Sequence, residues 1–246
     1  MLEAAGIDVD GMEDSIRLSR VAQATGTLLK AAGVAAGTTS WADQSDESIL
    51  AQGRSGGRFN EAMEANLRRL PGLFELVSEP GAMLLGVGTG AGFIAVAMAE
   101  SLPGTRVVGI DVLPRALKLA AATVAASPAA DRIEVRLQDV AELTEIDRYA
   151  YAWLPAPFIP QDPLREGVRR VARAVVPGGW VALGHGRYDG TALDNAVARF
   201  QTQSYGGTAL DDDQAEAMLT DAGLTHVSSP PMPTGAPSIT FGQRPR

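Results

Sequence analysis

The stretch "LLGVGTGAGF", residues 84–93, carries glycines at 86, 88, 90 and 92. An apolar run at 83–85 precedes the glycines, and residues 94–99 follow them with the spacing of a helix. A strand, a glycine loop and a helix in this order present free backbone N–H groups and a helix N-terminus to a ligand. Taken alone, however, the stretch is equally compatible with a tight turn that needs small residues.

From residue 82 onward, short apolar runs alternate with helical stretches, which predicts a parallel sheet covered on both faces. The strand candidates are 82–87, 106–111, 132–137, 148–154, 179–185, 224–229 and 237–243. The helix candidates are 91–101, 114–126, 162–175, 189–203 and 212–222. No helix separates the last two strands, so we expect them to be antiparallel neighbours. The predicted fold is an α/β, Rossmann-like, doubly wound seven-stranded sheet, mostly parallel with an antiparallel C-terminal hairpin, plus N-terminal helices.

The part of the chain before residue 80 has a different pattern. Phe59, Met63, Leu67 and Leu70 recur at helical spacing, and a Pro-Gly pair at 71–72 follows them. We therefore predict an N-terminal helical extension or lid over residues 1–79 and a ligand-binding domain over residues 80–246. A chain of 246 residues is long enough for one large α/β domain with a modest extension.

Composition limits the partners. The net charge of −8 disfavours nucleic acid, whose phosphates attract basic surfaces. Cysteine is absent, and no histidine or carboxylate cluster has metal-ligand spacing, so no metal site is predicted. The acidic start lacks a secretory pattern, and no apolar stretch reaches membrane-spanning length. We expect a cytoplasmic protein with no nucleic-acid or membrane partner, and a homodimer stays open.

Two acids follow the glycine loop at the ends of successive predicted strands. Asp111 ends "TRVVGID", and a carboxylate at that strand end can accept both hydroxyls of a ribose. Asp139 ends "RIEVRLQD" beside the same crevice, where it can accept from an amino group such as that of adenine. Either acid alone reads as a solvated loop residue or a helix cap. Together with the loop, they predict a nucleoside pocket.

Five stretches of the chain resemble the class I S-adenosylmethionine-dependent methyltransferases: "LLGVGTGAG", "VVGIDVLPRAL", "RIEVRLQDV", "WLPAPFIP" and "VARAVVPGGWVAL". The resemblance covers roughly residues 80–244. More narrowly, the chain looks like a bacterial small-molecule methyltransferase subgroup with "WLPAPFIP" and a later Tyr-Gly-Gly turn, here 205–207. The resemblance implies S-adenosyl-L-methionine as cofactor, S-adenosyl-L-homocysteine as product and a small-molecule acceptor.

The resemblance also implies roles for individual residues. Gly88 and Gly90 would border the methionine part of the cofactor, Asp111 would bind the ribose and Asp139 the adenine amino group. The implied cofactor site comprises Gly86, Gly88, Thr89, Gly90, Asp111, Val112, Gln138, Asp139, Val140 and Leu154.

Gly86 departs from the family, which generally has Asp or Glu at this position. A hydrogen bond to a charged group contributes roughly 1.5–3 kcal/mol, so its loss weakens cofactor binding without abolishing it. Two alternatives stay open. One is a nicotinamide dinucleotide site, which "GVGTGA" fits only with Ala91 in the last glycine position. The other is a protein of this fold that no longer methylates and acts as a cyclase or partner subunit.

The fourth predicted strand runs into an apolar, proline-rich segment, which suggests an apolar or aromatic acceptor. We expect methyl transfer to oxygen, and nitrogen and carbon stay open as alternatives. The lack of an Asn-Pro-Pro-Tyr-like motif argues against amide-nitrogen or nucleobase acceptors. His185 ends the fifth strand between glycines, where a neutral imidazole can act as a base. The alternative is a loop histidine that only makes hydrogen bonds. The predicted acceptor site comprises Trp153, Pro155, Phe158, Arg187 and Tyr188.

Overall fold

The computed structural model of the chain describes residues 28–56, 67–188, 190–231 and 237–246. The chain divides into two compact units, Met1–Thr39 and Ser40–Arg246. The sequence placed its division at residues 79 and 80, whereas the helices described between 40 and 78 belong to the second unit. In the first unit, residues 28–36 form a helix.

The second unit is built on one sheet of seven strands. The strands are β1 (Met83–Val87), β2 (Arg106–Asp111), β3 (Ile133–Leu137), β4 (Tyr149–Pro155), β5 (Val175–His185), β6 (Thr225–Ser228) and β7 (Ser238–Gln243). Their spatial order is β3-β2-β1-β4-β5-β7-β6. The neighbours among β1 to β5 are parallel, and β7 is antiparallel to both β5 and β6. The predicted fold class is therefore confirmed, including the C-terminal hairpin.

Helices connect and flank the strands of this sheet. They are α1 (Asp46–Gly56), α2 (Leu73–Ser78), α3 (Phe93–Ser101), α4 (Pro114–Ala125), α5 (Gln161–Ala174), α6 (Ala192–Ser204) and α7 (Asp212–Asp221). A helical turn at 67–69 ends before Gly72, while Phe59 and Met63 lie outside the described residues. Across the described ranges, no helix is both long and apolar enough to cross a membrane.

Two apolar layers cover the two faces of the sheet. Successive side chains of a strand point to opposite faces, so Leu154 of β4 enters one layer and Trp153 the other. The first layer contains Leu164 of α5, and the second contains Met98 of α3. Burial on both faces explains why the central strands read as continuous apolar runs.

Strand β5 begins earlier than the sequence predicts, because the Pro-Gly-Gly segment at 177–179 lies inside it. Val175 pairs with Tyr149 and Trp180 with Tyr151, so the β5 side of the ladder bulges. Gly178 has φ +82°, a backbone conformation that residues with a side chain rarely adopt. The family-like turn between helix and strand is thus a bulge within the strand.

The strand order places the carboxyl ends of β2, β1 and β4 side by side. After β1 the chain turns toward β2, whereas β4 lies on the other side of β1. Ligands of doubly wound sheets bind outside the carboxyl ends of the strands where the order reverses in this way. The glycine loop after β1 lies at that point.

Candidate cofactor and acceptor site

The glycine loop is held against the end of β2 by backbone hydrogen bonds. The Thr89 N–H donates to the Ile110 carbonyl oxygen at 3.0 Å. The Gly90 N–H donates to Oδ2 of Asp111 at 2.8 Å. Gly88 and Gly90 have φ values of +60° and +54°, so glycine suits both positions. The loop and Asp111 therefore form one connected unit.

Asp111 is a buried carboxylate with only 6% of its surface exposed. Its Oδ1 accepts the Leu113 N–H at 2.9 Å, while Oδ2 accepts from the loop. Burial raises the pKa of Asp111, and the backbone hydrogen bonds to the carboxylate oppose that rise. Each carboxylate oxygen can accept more than one hydrogen bond, so acceptor capacity remains for ribose hydroxyls.

Asp139 follows β3 and is half-buried. Its Oδ1 accepts the Ala141 N–H at 2.8 Å, whereas Oδ2 has no hydrogen-bond partner in the described part of the chain. Two apolar side chains beside these acids, Val112 and Leu137, are 55% and 62% exposed. Two carboxylates with exposed apolar groups next to them suit an adenosine, whose base is flat and apolar and whose edges donate hydrogen bonds.

The backbone around Gln138 links the two acid-bearing strand ends. Its N–H donates to the carbonyl oxygen of Asp111 at 3.0 Å. The side chains of two other predicted cofactor residues, Val140 and Leu154, are buried in the first apolar layer. Val140 packs on Gly167, where a Cβ would lie 2.7 Å from its Cγ1. A cofactor contact of these two residues would therefore be made by their backbone.

Gly86 is buried in β1, and it pairs with Gly109 on the neighbouring strand β2. A Cβ on Gly86 would meet nothing closer than the Val108 carbonyl oxygen at 4.0 Å. A Cβ on Gly109 would lie 2.5 Å from Oγ1 of Thr89. That hydroxyl is buried and has no hydrogen-bond partner within the described ranges. The loop therefore folds its threonine over Gly109 and leaves room at Gly86.

The segment after β4 reaches the glycine loop. A Cβ on Gly88 would lie 3.2 Å from Cγ of Pro155, the last residue of β4. Trp153, in contrast, is buried in the second apolar layer, where its ring fills the space beside Gly184. The sequence leaves Trp153 open as an acceptor contact or a core side chain, and the structure places it in the core, since a glycine on β5 lets the indole pack there.

His185 ends β5, as predicted, but its side chain is fully buried with 0% exposed. Nδ1 lies 3.1 Å from the Gly186 carbonyl oxygen and Nε2 lies 2.8 Å from Oγ1 of Thr240. A carbonyl only accepts, so Nδ1 carries the proton and Nε2 accepts from Thr240. Burial lowers the pKa of His185. The prediction of His185 as a catalytic base is corrected, because both nitrogens are used inside the protein and an acceptor cannot reach them.

Arg187 and Tyr188 follow β5 and are half-buried. The Arg199 guanidinium lies 4.1 Å from the centre of the Tyr188 ring. The Tyr188 hydroxyl is buried and has no hydrogen-bond partner in the part of the chain that the structure describes. Tyr188 is therefore shielded from direct solvent contact at its polar end.

Three aromatic rings that the sequence does not group together meet beyond β4, and we call them the ring cluster: Trp41, Phe158 and Tyr205. The rings of Phe158 and Tyr205 stack with centroids 5.1 Å apart. Trp41 meets both edge-on, at 4.7 Å and 5.0 Å. All three residues are half-buried. Of the predicted acceptor residues, Phe158 is thus placed with two partners that are distant in sequence.

The turn at 205–207 packs tightly against the segment after β4. A Cβ on Gly207 would overlap the Pro157 carbonyl group. Thr208 donates its N–H to the Ala156 carbonyl oxygen at 2.9 Å and its hydroxyl to the Ile159 carbonyl oxygen at 2.8 Å. The "WLPAPFIP" segment and the later Gly-Gly turn are therefore two halves of one structure.

Residues 40–46, which we call the strap, join the two sides of the site. Arg115, at the start of α4, donates to the carbonyl oxygens of Ala42 and Gln44 and lies 3.1 Å from Oδ1 of Asp46. At its other end, the strap places Trp41 in the ring cluster. Because β1 lies between β2 and β4, the strap spans the edge at which the glycine loop follows β1.

Comparison with known proteins agrees with this geometry. A family described as "Methyltransferase domain" matches residues 84–179, from β1 into β5. Residues 84–179 form a methyltransferase domain. The resemblance to class I S-adenosylmethionine-dependent methyltransferases is thereby confirmed for this part of the chain.

The methyltransferase domain also accounts for the similarity to curated proteins. The tRNA1(Val) (adenine(37)-N6)-methyltransferase of Yersinia pestis (strain Pestoides F) is 33% identical over 94 residues, which are 37% of this chain and 38% of that protein. The match thus spans well under half the length of either protein.

Solved structures share the fold over a larger part of the chain. An O-methyltransferase family protein from Burkholderia thailandensis has a TM-score of 0.61 at 19% identity and covers 92% of this chain and 71% of its own. Human N-acetylserotonin methyltransferase, solved in complex with SAM, has a TM-score of 0.61 at 15% identity and covers 88% of this chain and 67% of its own. At these identities, the likeness establishes the fold.

Proposed function

We propose that this protein transfers a methyl group from S-adenosylmethionine to an oxygen of a small apolar or aromatic acceptor. The observation that carries the proposal is the buried Asp111 carboxylate, bonded to Gly90 of the glycine loop at 2.8 Å and set beside Asp139. That pair of acids at neighbouring strand ends suits the ribose and the adenine of one nucleoside. The family match over residues 84–179 supports the same reading.

The cofactor supplies an electrophilic methyl group on a sulfonium. The protein's residues would hold the adenosine part: Asp111 would accept from the ribose hydroxyls, and Oδ2 of Asp139 would accept from the adenine amino group. The exposed side chains of Val112 and Leu137 would contact the faces of the base. Gly88 leaves bare backbone next to Pro155, so the reactive end would lie between the loop and the segment after β4.

Positioning and exclusion of water are the main contributions that the described residues can make to the rate. His185 is sealed in the core, and His226 lies on β6, the outer strand of the sheet. Neither histidine is placed to take a proton from the acceptor. We therefore favour an acceptor hydroxyl that is acidic enough to lose its proton to water, as a phenol is.

The match to a tRNA methyltransferase does not make RNA the favoured acceptor here. The net charge of −8 opposes binding to a phosphate backbone. The residues from Leu154 to Phe158 also lack an Asn-Pro-Pro-Tyr-like motif, which would suit a nucleobase amino group. Both observations support a small-molecule acceptor.

Methyl transfer can be tested with S-adenosylmethionine that carries a trideuteromethyl group and a panel of phenols and aliphatic alcohols. We expect mass spectrometry to detect at least one phenol with the labelled methyl group, and about tenfold less of it with the Asp111→Ala variant at sub-saturating cofactor. Tight binding of S-adenosylhomocysteine without transfer to any member of the panel would contradict the proposed activity while leaving the binding site intact.

A further inference from the structure

The ring cluster of Trp41, Phe158 and Tyr205 lies apart from the two acids that would hold the adenosine part of a cofactor. It lies beyond β4, whereas the acids Asp111 and Asp139 lie at the ends of β2 and β3 on the other side of β1. The three half-buried aromatic residues therefore occupy a different part of the ligand-binding edge of the sheet from the two acids.

The cluster is connected to the reactive end of the site by a short path. Pro155 contacts the position of Gly88 in the glycine loop, and Phe158 follows three residues later in the Ala156–Phe158 turn. That turn is held by the Thr208 hydrogen bonds and by the close approach of Gly207. Phe158 and Tyr205 are thus fixed relative to the loop by backbone contacts rather than by their own ring contacts alone.

The ring geometry limits what can bind. The centroids of the three rings lie 4.7 to 5.1 Å apart, which is ordinary contact between neighbouring aromatic groups. No further ring fits between them, so a ligand must pack on the outer faces that remain partly exposed. Aromatic groups favour offset-stacked or edge-to-face contacts with another aromatic ring, and a saturated ring cannot form these.

We propose that the ring cluster is the specificity-determining wall of the acceptor site and that it selects a planar aromatic acceptor over a saturated one of the same skeleton. This inference rests on the proposed function, because it assigns the cluster to the acceptor of the same reaction. Trp41 reaches the wall from the strap, so the acceptor site is complete only when the strap is in place.

The ring and the hydroxyl of Tyr205 can be tested separately by substitution. The side-chain amide of Gln201, on α6, donates to the Tyr205 hydroxyl at 3.1 Å. Tyr205→Phe removes this contact and keeps the ring, whereas Tyr205→Leu removes both. A role for the ring therefore predicts a loss in the second variant only.

The test uses the full chain loaded with S-adenosylhomocysteine and two probes, 2-naphthol and its saturated counterpart 2-decalol, in calorimetric titrations. We expect 2-naphthol to bind about tenfold tighter than 2-decalol, since each aromatic pair contributes about two- to tenfold in affinity. Tyr205→Leu and Trp41→Leu should reduce that preference about threefold or more, while Tyr205→Phe keeps it. Phe74→Leu, which alters a ring on α2 away from the cluster, is the matched control.

Each outcome decides one claim. Equal binding of the two probes, no binding of either, or a preference that survives Tyr205→Leu overturns the inference. A drop in S-adenosylhomocysteine affinity or melting temperature that parallels the loss in Tyr205→Leu would assign the ring a structural role and also overturn it. Failure of the parent protein to bind S-adenosylhomocysteine in the loading step counts against the proposed function itself.

Discussion

Oδ2 of Asp111 accepts the backbone N–H of Gly90 at 2.8 Å, so the acid at the end of β2 holds the loop that follows β1. The carboxylate is buried, and burial raises its pKa above the ordinary value of 3.8. A ligand that donates hydroxyl groups to Asp111 would stabilise the charged form.

The affinity for S-adenosylhomocysteine should therefore fall as the pH decreases through the raised pKa of Asp111. The protonated carboxyl group loses acceptor capacity, so the ribose hydroxyls lose their best partner. Calorimetric titrations from neutral to acidic pH measure this effect, and Asp111→Asn should bind weakly with a flatter profile. A parent protein whose affinity does not change with acidification would remove Asp111 from the ligand contacts.

The paired glycines Gly86 and Gly109 should respond in opposite ways to alanine. Gly86→Ala fits, because its Cβ would meet nothing closer than the Val108 carbonyl oxygen at 4.0 Å, and the melting temperature should stay the same or rise slightly. Gly109→Ala pushes against Thr89 at 2.5 Å and should reduce the free energy of unfolding by about 1–3 kcal/mol. Thermal unfolding of the two variants side by side provides the comparison. Equal destabilisation would show that the space at Gly86 is not available.

The sheet and the glycine loop could be predicted from the sequence. Apolar runs and helical spacing located the strands and the order of elements, because burial on both faces leaves a strong hydrophobic pattern. The sequence also predicted the glycine loop and Asp111 as parts of one site, because the loop follows β1 and the acid ends β2. The hydrogen bond from the Gly90 N–H to Asp111 connects the loop and the acid in the structure.

Other features depend on contacts that no local pattern reveals. The sequence does not decide whether Trp153 contacts an acceptor or fills the core, and Gly184 on the next strand is what admits its ring to the core. His185 ends a strand at the ligand edge, but the antiparallel β7 brings Thr240 to its Nε2. Trp41 joins Phe158 only through the strap. The Gly-Gly turn near residue 206 was a usable signal for one member of the ring cluster, whereas Trp41 had none.

His185 should make stability pH-dependent. Burial lowers its folded-state pKa below the model-peptide value of 6.5, so the unfolded chain binds the proton more readily. The stabilisation is present above about pH 6.5 and is lost as the pH falls toward the lower folded-state pKa. Urea unfolding at several pH values should show this slope in the parent protein and a smaller one in His185→Gln.

The second histidine, His226, provides the matched control. It is exposed on β6 and has φ +50°, a conformation that asparagine tolerates. His226→Asn should therefore keep the pH dependence of the parent. If His226→Asn removes the slope and His185→Gln retains it, the assignment to the buried histidine is wrong.

Arg115 should act as a positioning residue for the strap. Arg115→Ala removes its bonds to Ala42 and Gln44, so the Asp43 and Gln44 amides should exchange with deuterium faster by about three- to tenfold. The effect stays modest because the Arg115 side chain is partly exposed to solvent. Lys118→Ala, one turn later on α4, is the control. Unchanged exchange in Arg115→Ala would show that Arg115 does not hold the strap.

The most direct test of the account is calorimetric titration of the full chain with S-adenosylhomocysteine and, separately, with a nicotinamide dinucleotide. We expect one saturable site for S-adenosylhomocysteine, with affinity about tenfold or more weaker in Asp111→Ala and unchanged in the exposed control Asp131→Ala. Tighter binding of the dinucleotide, or an Asp111→Ala variant that stays folded and retains the parent's affinity, would contradict the central claim that this sheet edge is an S-adenosylmethionine site.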